Sequence, residues 1–371
     1  MKLTIDREVL VAGVELAGKC SDPRGLKPIL ADIILEVAED GRCRAAGTDL
    51  EVMAVSVFAA EKVSKPGRVC VSPERLGATL KAMREETVKL EVVSSSLVVT
   101  DATSRIRLLA TEADDFPDLA AAPAEATACL PMAVLGGMIS ASAYAVSCES
   151  QRYAMNGCLL SLKNELHKDT ITMEATDGRR VARAKRPLET PVGEAVSGIV
   201  APRALKFAQS LEGENVHVTF NDRFVTFSTP SGLVRATLIE GRFPPIDEVL
   251  PESQPSSLVV GTEEFLRAVK AAAVVTAQDG TSDSSAVTLS LQADGPLTVT
   301  AESPEEGDAR IEFEGKFTGE PLTILFFPPY LIQAVEHLGV DEATLGFTDK
   351  TRLCSMEAGG NLSALMPVCS Q

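Results

Sequence analysis

One pattern is written three times along the 371 residues of this chain, and it constrains the fold more than any single motif. A Pro-x-x-Leu recurs at Pro73, Pro202 and Pro328, spaced by 129 residues (73 to 202) and 126 residues (202 to 328). Phe-Pro recurs at Phe116-Pro117 and Phe243-Pro244, spaced by 127. The turn Thr176-Asp177-Gly178 has its counterpart at Thr48-Asp49. A unit near one third of the chain is too long for a solenoid repeat, so each copy can hold a core of its own.

Within a copy the order reads helix, strands, helix, strands. Val9, Leu10, Val14 and Leu16-Ala17 recur at helical spacing, with Asp6 as the N-cap. Strands follow over ILADIILEV and RCRAAGTDLEVMAVSV. Ser72-Pro73 then starts a second helix, a cap followed by proline where its missing N–H costs nothing. The second copy repeats this order. Met155, Gly157 and Leu159 alternate along the strand predicted there over YAMNGCLLSL. Its next strand, TITMEA, runs into Asp-Gly, a strong turn signal because Gly accepts positive φ and Asp bonds to its own backbone.

The expected fold is α+β, with three repeated domains over residues 1–122, 129–250 and 257–371. In each, two amphipathic helices cover one side of an antiparallel sheet. Ala-, Pro- and Ser-rich linkers join them. Similar domains in a row tend to join at their open sheet edges. Periodicity alone allows either a closed ring or a bent rod.

Composition narrows the function. With 45% hydrophobic residues there is ample core, and no apolar run is long enough to span a bilayer. The opening MKLTIDREVL lacks the apolar stretch of a signal peptide, so a cytoplasmic location and no membrane partner are expected. Eight cysteines, at 20, 43, 70, 129, 148, 158, 354 and 369, include no C-x-x-C and read as small buried hydrophobes. The histidines at 167, 217 and 337 lack zinc-ligand spacing, so neither metal nor cofactor is expected. An excess of 52 acidic over 35 basic residues leaves −17. That argues against a nucleic-acid binder with a broad basic surface. Any grip on DNA must use one face, or topology.

Several strings carry a family resemblance: PILADIILEV with GTDLEV, DDFPDL, RYAMNGCLL, ATDGRRVA, EGRFPPIDEVLP and the terminal LMP. Together, in this order over the whole chain, they resemble the bacterial sliding clamps, the beta subunit of DNA polymerase III. The resemblance implies a head-to-tail homodimer whose six domains close a ring around double-stranded DNA. It implies no catalytic activity. Partners would be DNA polymerase III subunits, the clamp loader and other proteins carrying a clamp-binding motif. A ring held by topology needs no tight phosphate grip, which accommodates the acidity.

The resemblance also implies sites. A peptide-binding groove would comprise Met155, Thr176, Gly178, Arg179, Arg180, Val181, Pro244, Val249, Tyr330, Ala364, Met366, Pro367 and Val368, with Arg179 and Arg180 at its rim. Ala364, Val368 and the final Cys369-Ser370-Gln371 depart from the family's pattern, so peptide preference is expected to differ. DNA-facing groups would be Arg24, Arg75, Lys81, Arg84, Arg152, Tyr153, Arg203, Lys206, Arg267 and Lys270. The dimer seam would bring Ile106 and Leu108, alternating on one strand face, against Val274 and Val275, with Glu305 and Glu306 pairing to basic residues across it. Two other readings compete: a clamp-like scaffold that does not encircle DNA, and a hydrolase using Glu174 and Asp177 as an acid–base pair.

Overall fold

The computed structural model describes residues 1–368 apart from Leu26, Ala124, Ser150, Arg152, Leu166, His167 and 278–284. Arg152, His167 and Cys369-Ser370-Gln371 of the sequence reading therefore lie outside the described residues. Among the described residues six α-helices are spread two to a repeat: α1 (Arg7–Gly18), α2 (Pro73–Ala82), α3 (Met132–Ser142), α4 (Pro202–Ala208), α5 (Thr262–Ala272) and α6 (Pro328–Glu336). The caps follow the sequence. The Asp6 carboxylate accepts from the Val9 N–H at 3.0 Å, and the Ser72 hydroxyl accepts from the Arg75 N–H at 3.4 Å. No described helix is long and apolar enough to cross a membrane.

The chain forms two compact units, and their limits are not those of the repeats. One comprises Met1–Leu135, Leu188–Gly193 and Arg203–Leu238; the other comprises Gly136–Pro187, Glu194–Pro202 and Ile239–Gln371. The first holds a five-stranded sheet, in spatial order Lys62–Lys65, Lys2–Asp6, Thr87–Val93, Ser96–Thr100 and Arg105–Leu109. It also holds an eight-stranded sheet, in which Val52–Ala59 of the first repeat pairs antiparallel with Gly232–Thr237 of the second. In the second unit Arg180–Pro187 pairs in the same way with Asn361–Leu365, joining the second and third repeats in a nine-stranded sheet. A four-stranded sheet completes this unit, with Gly307–Phe313 at one edge and Leu322–Phe326 at the other. The central repeat thus gives strands to both units, because pairing across a repeat boundary satisfies backbone groups that an isolated sheet leaves open.

Each unit buries its own core. In the first, Leu10, Val14 and Ala17 of α1 and Leu76 and Leu80 of α2 pack on Ile5, Ile33, Val88 and Leu97 from the strands. In the second, Phe265, Val269, Leu331 and Val335 of α5 and α6 pack on Leu289, Phe326, Leu345 and Phe347. Burying one such side chain contributes roughly 1.5–3 kcal/mol, so the helices are held chiefly by their apolar faces.

The structure corrects the sequence reading in several places. A short strand precedes the first helix of every repeat, at Lys2–Asp6, Ala128–Pro131 and Ser256–Gly261. The sequence reading has no strand at these places, because four to six residues carry little periodic signal. The strand of the second repeat begins at Cys158, and Tyr153–Met155 is a 3-10 turn. Cys158, Leu160 and Leu162 are fully buried while Leu159 packs in a smaller core, so both faces are covered and the alternation misleads. The run RCRAAGTDLEVMAVSV is two strands, Arg42–Thr48 and Val52–Ala59. Cys148 is exposed and Cys129 half-buried, contrary to the reading of all cysteines as core; Cys20, Cys43, Cys70, Cys158 and Cys354 are buried.

Two glycines of the first unit separate packing from propensity. A Cβ on Gly47, in the strand under α1, would collide with the Ala17 carbonyl group, whereas one on Gly77 of α2 meets nothing within 4 Å. Gly47→Ala should lower stability by about 1–3 kcal/mol through backbone displacement. Gly77→Ala should raise it by up to about 1 kcal/mol through helix propensity. Thermal or urea unfolding of the two variants checks the opposite signs.

Candidate functional site

A tight turn between Lys168–Thr176 and Arg180–Pro187 builds one wall of a pocket. The Thr176 hydroxyl accepts from the Gly178 N–H at 3.1 Å and donates to the Arg180 carbonyl at 2.7 Å. Asp177 Oδ1 accepts from the N–H groups of Arg179 and Arg180 at 2.9 and 3.1 Å. Gly178 takes φ +87°, which costs a glycine nothing. The opposite wall is the segment Pro244-Pro245 and the 3-10 turn Ile246–Glu248. Arg183 fastens this turn, reaching Asp247 at 2.6 Å while also holding Glu174 at 2.6 Å.

The pocket between them measures about 170 Å³. Met155, Thr176, Gly178, Arg179, Arg180 and Val181 line it on the turn side, with Pro244, Pro245, Ile246, Val249, Leu353 and Met366 opposite. Its floor is a small apolar core of Val181, Ile246, Leu353 and Ala364. Val249 and Met366 stand 55% and 42% exposed, large apolar side chains open to a ligand. Such a surface can bury an apolar side chain of a peptide, and Met adapts to more than one shape.

Four of the sequence-derived groove residues do not line the pocket. Ala364 is buried in the floor and Pro367 is buried beyond it. The Val368 N–H donates to the Leu325 carbonyl at 2.8 Å. Tyr330 lies under Arg180, whose guanidinium sits 4.3 Å from its ring centre.

Arg180 is also misplaced by the sequence reading. It is 9% exposed and no rim cation. Its side chain donates to Asp177 Oδ2 at 2.9 Å, to Gln333 Oε1 and to the Tyr144 carbonyl at 2.7 Å. It is the bolt of a half-buried cluster in which Tyr144 stacks on His337 at 4.5 Å and bonds to Ser363 at 2.7 Å. Burial lowers the His337 imidazole below its usual pKa; Glu336 opposes this and Arg180 adds to it. Arg179, exposed at the rim, is left as the groove's outward cation. Among residues the sequence reading missed, Pro245 and Ile246 stand inside the string EGRFPPIDEVLP. Tyr144, Gln333 and Leu353 belong to distant elements and give no local signal.

Glu174 and Asp177 do not form an acid–base pair. Each carboxylate is bound by its own arginine, Arg183 and Arg180. Both carboxylates serve the frame of the turn, Glu174 through Arg183 and Asp177 through Arg180 and two backbone N–H groups.

Most of the predicted DNA-facing cations are exposed on helices or connecting loops. Lys81 pairs with Glu15 at 2.7 Å, Lys270 with Glu336 at 2.6 Å and Arg267 with Glu264 at 4.0 Å. Arg203 is bound to Asp49 and lies over Phe207. Arg24, Arg75, Arg84 and Lys206 are exposed, with no ion pair within 4 Å among the described residues. Tyr153 is 71% exposed.

Of the predicted seam residues, Ile106 and Leu108 lie on a sheet edge, Glu305 and Glu306 adjoin another, and Val274 and Val275 lie in the 3-10 turn Ala273–Val275 after α5. Arg105–Leu109 is an outer strand of the five-stranded sheet, and Gly307–Phe313 an outer strand of the four-stranded sheet. Ile106 and Leu108 lean into their own unit's core and are half-buried, while Leu109 is 75% exposed. Val274 is 78% exposed; Val275 packs on the core of the second unit. Glu305 and Glu306 are exposed in the turn before Gly307–Phe313.

Known proteins match this architecture. The beta sliding clamp of Pseudomonas putida is 26% identical over 97% of either chain. A solved DNA polymerase sliding clamp from Bacillus subtilis superposes with a TM-score of 0.92 at 23% identity, covering 100% of both chains. A sliding clamp from Pseudomonas aeruginosa bound to griselimycin does so with a TM-score of 0.92 at 24% identity, again covering 100% of both. The N-terminal, central and C-terminal domain models of the DNA polymerase III beta subunit match residues 1–120, 129–245 and 247–366 in turn. With all three in order along almost the whole chain, this protein belongs to the DNA polymerase III beta subunit family, the beta sliding clamps.

Proposed function

We propose that the protein works as a non-catalytic DNA sliding clamp in the cytoplasm, a homodimeric ring around double-stranded DNA that tethers DNA polymerase III and other partners. The observation that carries this reading is the ordered match of all three family domains. Three domains at about 1–122, 129–250 and 257–371 are its functional parts. The scaffold and hydrolase alternatives have no comparable support; the carboxylates of the latter are committed to arginines.

Partners dock in the pocket beside Gly178. A peptide with a Gln followed by a Leu-and-Phe end resembles the family's ligands. Its apolar end would bury against Met155, Val181, Val249 and Met366, with Arg179 available to a polar or acidic group. Short peptides order on binding, so affinity should be on the order of micromolar, about −8 kcal/mol. Met366→Ala should weaken this peptide about fivefold or more, the loss of one apolar anchor of ~1 kcal/mol. Fluorescence polarisation checks it, and unchanged affinity would move the site elsewhere.

Two copies would join head to tail, the edge strand Arg105–Leu109 of one meeting Gly307–Phe313 of the other. Pairing these edges removes two rows of unsatisfied backbone groups. Because Ile106 and Leu108 lean into the core, Leu109 is the better probe of the seam. Leu109→Lys should give folded monomers by sedimentation, since an unpaired cation buried at a seam is costly. A variant that sediments as a dimer would place the seam elsewhere.

DNA contact falls to the exposed cations, with Arg24, Arg75, Arg84 and Lys206 the least neutralised and Lys81, Arg203, Arg267 and Lys270 softened by their carboxylates. Phosphate contacts of this kind carry no sequence information, which suits sliding. Changing Arg24, Arg75 and Lys206 together to Ala should weaken duplex binding and flatten its salt dependence. The log–log slope should fall by about 0.9 for each phosphate that is no longer neutralised. An unaltered slope would remove these three from the DNA-facing surface.

A further inference from the structure

The junction between the first two repeats reproduces, bond for bond, the turn that walls the groove between the second and third. The Thr48 hydroxyl accepts from the Leu50 N–H at 3.0 Å and donates to the Val52 carbonyl at 3.0 Å. Asp49 Oδ1 accepts from the N–H groups of Glu51 and Val52 at 3.0 and 2.7 Å. The sheet register agrees as well. Met53 stands opposite Arg235, as Val181 stands opposite Ala364. Pro117 stands where the later copy has Pro244. Between these parts lies a pocket of about 100 Å³, room for one side chain.

Its chemistry differs from that of the groove. Leu50 replaces Gly178 and is held at φ +78°, a conformation that costs a side-chain-bearing residue about 1 kcal/mol or more. It is nonetheless 52% exposed, an apolar side chain aimed outward from a strained turn. Arg235 takes the place of the small Ala364. Its guanidinium lies 4.9 Å from the centre of the Phe224 ring, with no carboxylate within 4 Å among the described residues. Glu51 and Asp118, both exposed, stand at the mouth.

We propose that this pocket is a second peptide site, distinct from the groove, for a segment presenting one aliphatic side chain beside a single carboxylate. The aliphatic group packs on Leu50, Met53 and Phe224. The carboxylate reaches Arg235, which is half-buried, pre-positioned on an aromatic ring and without an ion pair among the described residues; a planar guanidinium in that setting is suited to a carboxylate. Glu51 and Asp118 repel a polyanion such as nucleic acid or an acidic run, so one negative charge is admitted and several are not.

The test uses the full chain and a fluorescein-labelled Ser-Gly-Ser-Leu-Glu peptide, amidated at its C-terminus, titrated by polarisation. One site per subunit is expected, weakened about tenfold or more by Arg235→Glu and unmoved by Met366→Ala. Leu50→Gly should weaken the peptide while leaving thermal stability equal or higher, because the strain goes with the side chain. A Leu-Gln version of the peptide should bind about tenfold less well. Binding that ignores Arg235→Glu, disappears in Met366→Ala, or is absent at millimolar peptide overturns the proposal. The Gln and Leu-and-Phe peptide, titrated on the same variants, reports the groove alone, so failure here leaves the clamp reading untouched and is told apart from it.

Discussion

Antiparallel pairing between strands of successive repeats is the interaction on which the rest depends. Val52–Ala59 with Gly232–Thr237, and Arg180–Pro187 with Asn361–Leu365, each turn two small half-open sheets into one long sheet. The pairing satisfies backbone groups that no side chain could reach. It also decides where pockets form. The strand pair fixes the turn at its end against the loop that follows the repeat's last strand, and the space left between turn and loop is a pocket.

What keeps such a pocket open is a frame of charges used structurally. Arg180, Asp177 and Gln333, with the stacked Tyr144 and His337, hold the turn from behind; Arg183 with Glu174 and Asp247 holds the loop. A buried arginine with its donors in use costs little only while each partner is present. These residues therefore shape the floor and walls without needing to touch a ligand. Preorganisation of this kind would lower the ordering cost of the peptide binding proposed above.

The two turns show how one backbone plan can diverge. Their hydrogen bonds coincide, yet glycine in one and leucine in the other, alanine in one and arginine in the other, give an apolar groove and a small polar-lipped pocket. The hydrogen bonds come from Thr and Asp side chains that are the same in both copies. The two pockets differ through residues that point away from those bonds and are free to differ.

The sequence by itself determined the triplication, the helix starts and the turns, since these rest on local chemistry: capping groups, proline at the first helical position, and Thr-Asp side chains bonding to their own backbone. The positions Thr176, Gly178, Val181, Pro244 and Met366 were legible through family resemblance, and the structure gathers them around one pocket. Only the tertiary structure decided how the strands were shared. The compact units cut through the central repeat because edge pairing acts between strands far apart in sequence, where periodicity carries no information. It also decided that Arg180 is buried, that Ala364 is buried within the floor, and that Leu353 comes in from a distant turn. Burial and pairing of a charged side chain depend on what the rest of the fold brings to it, and no local pattern encodes that.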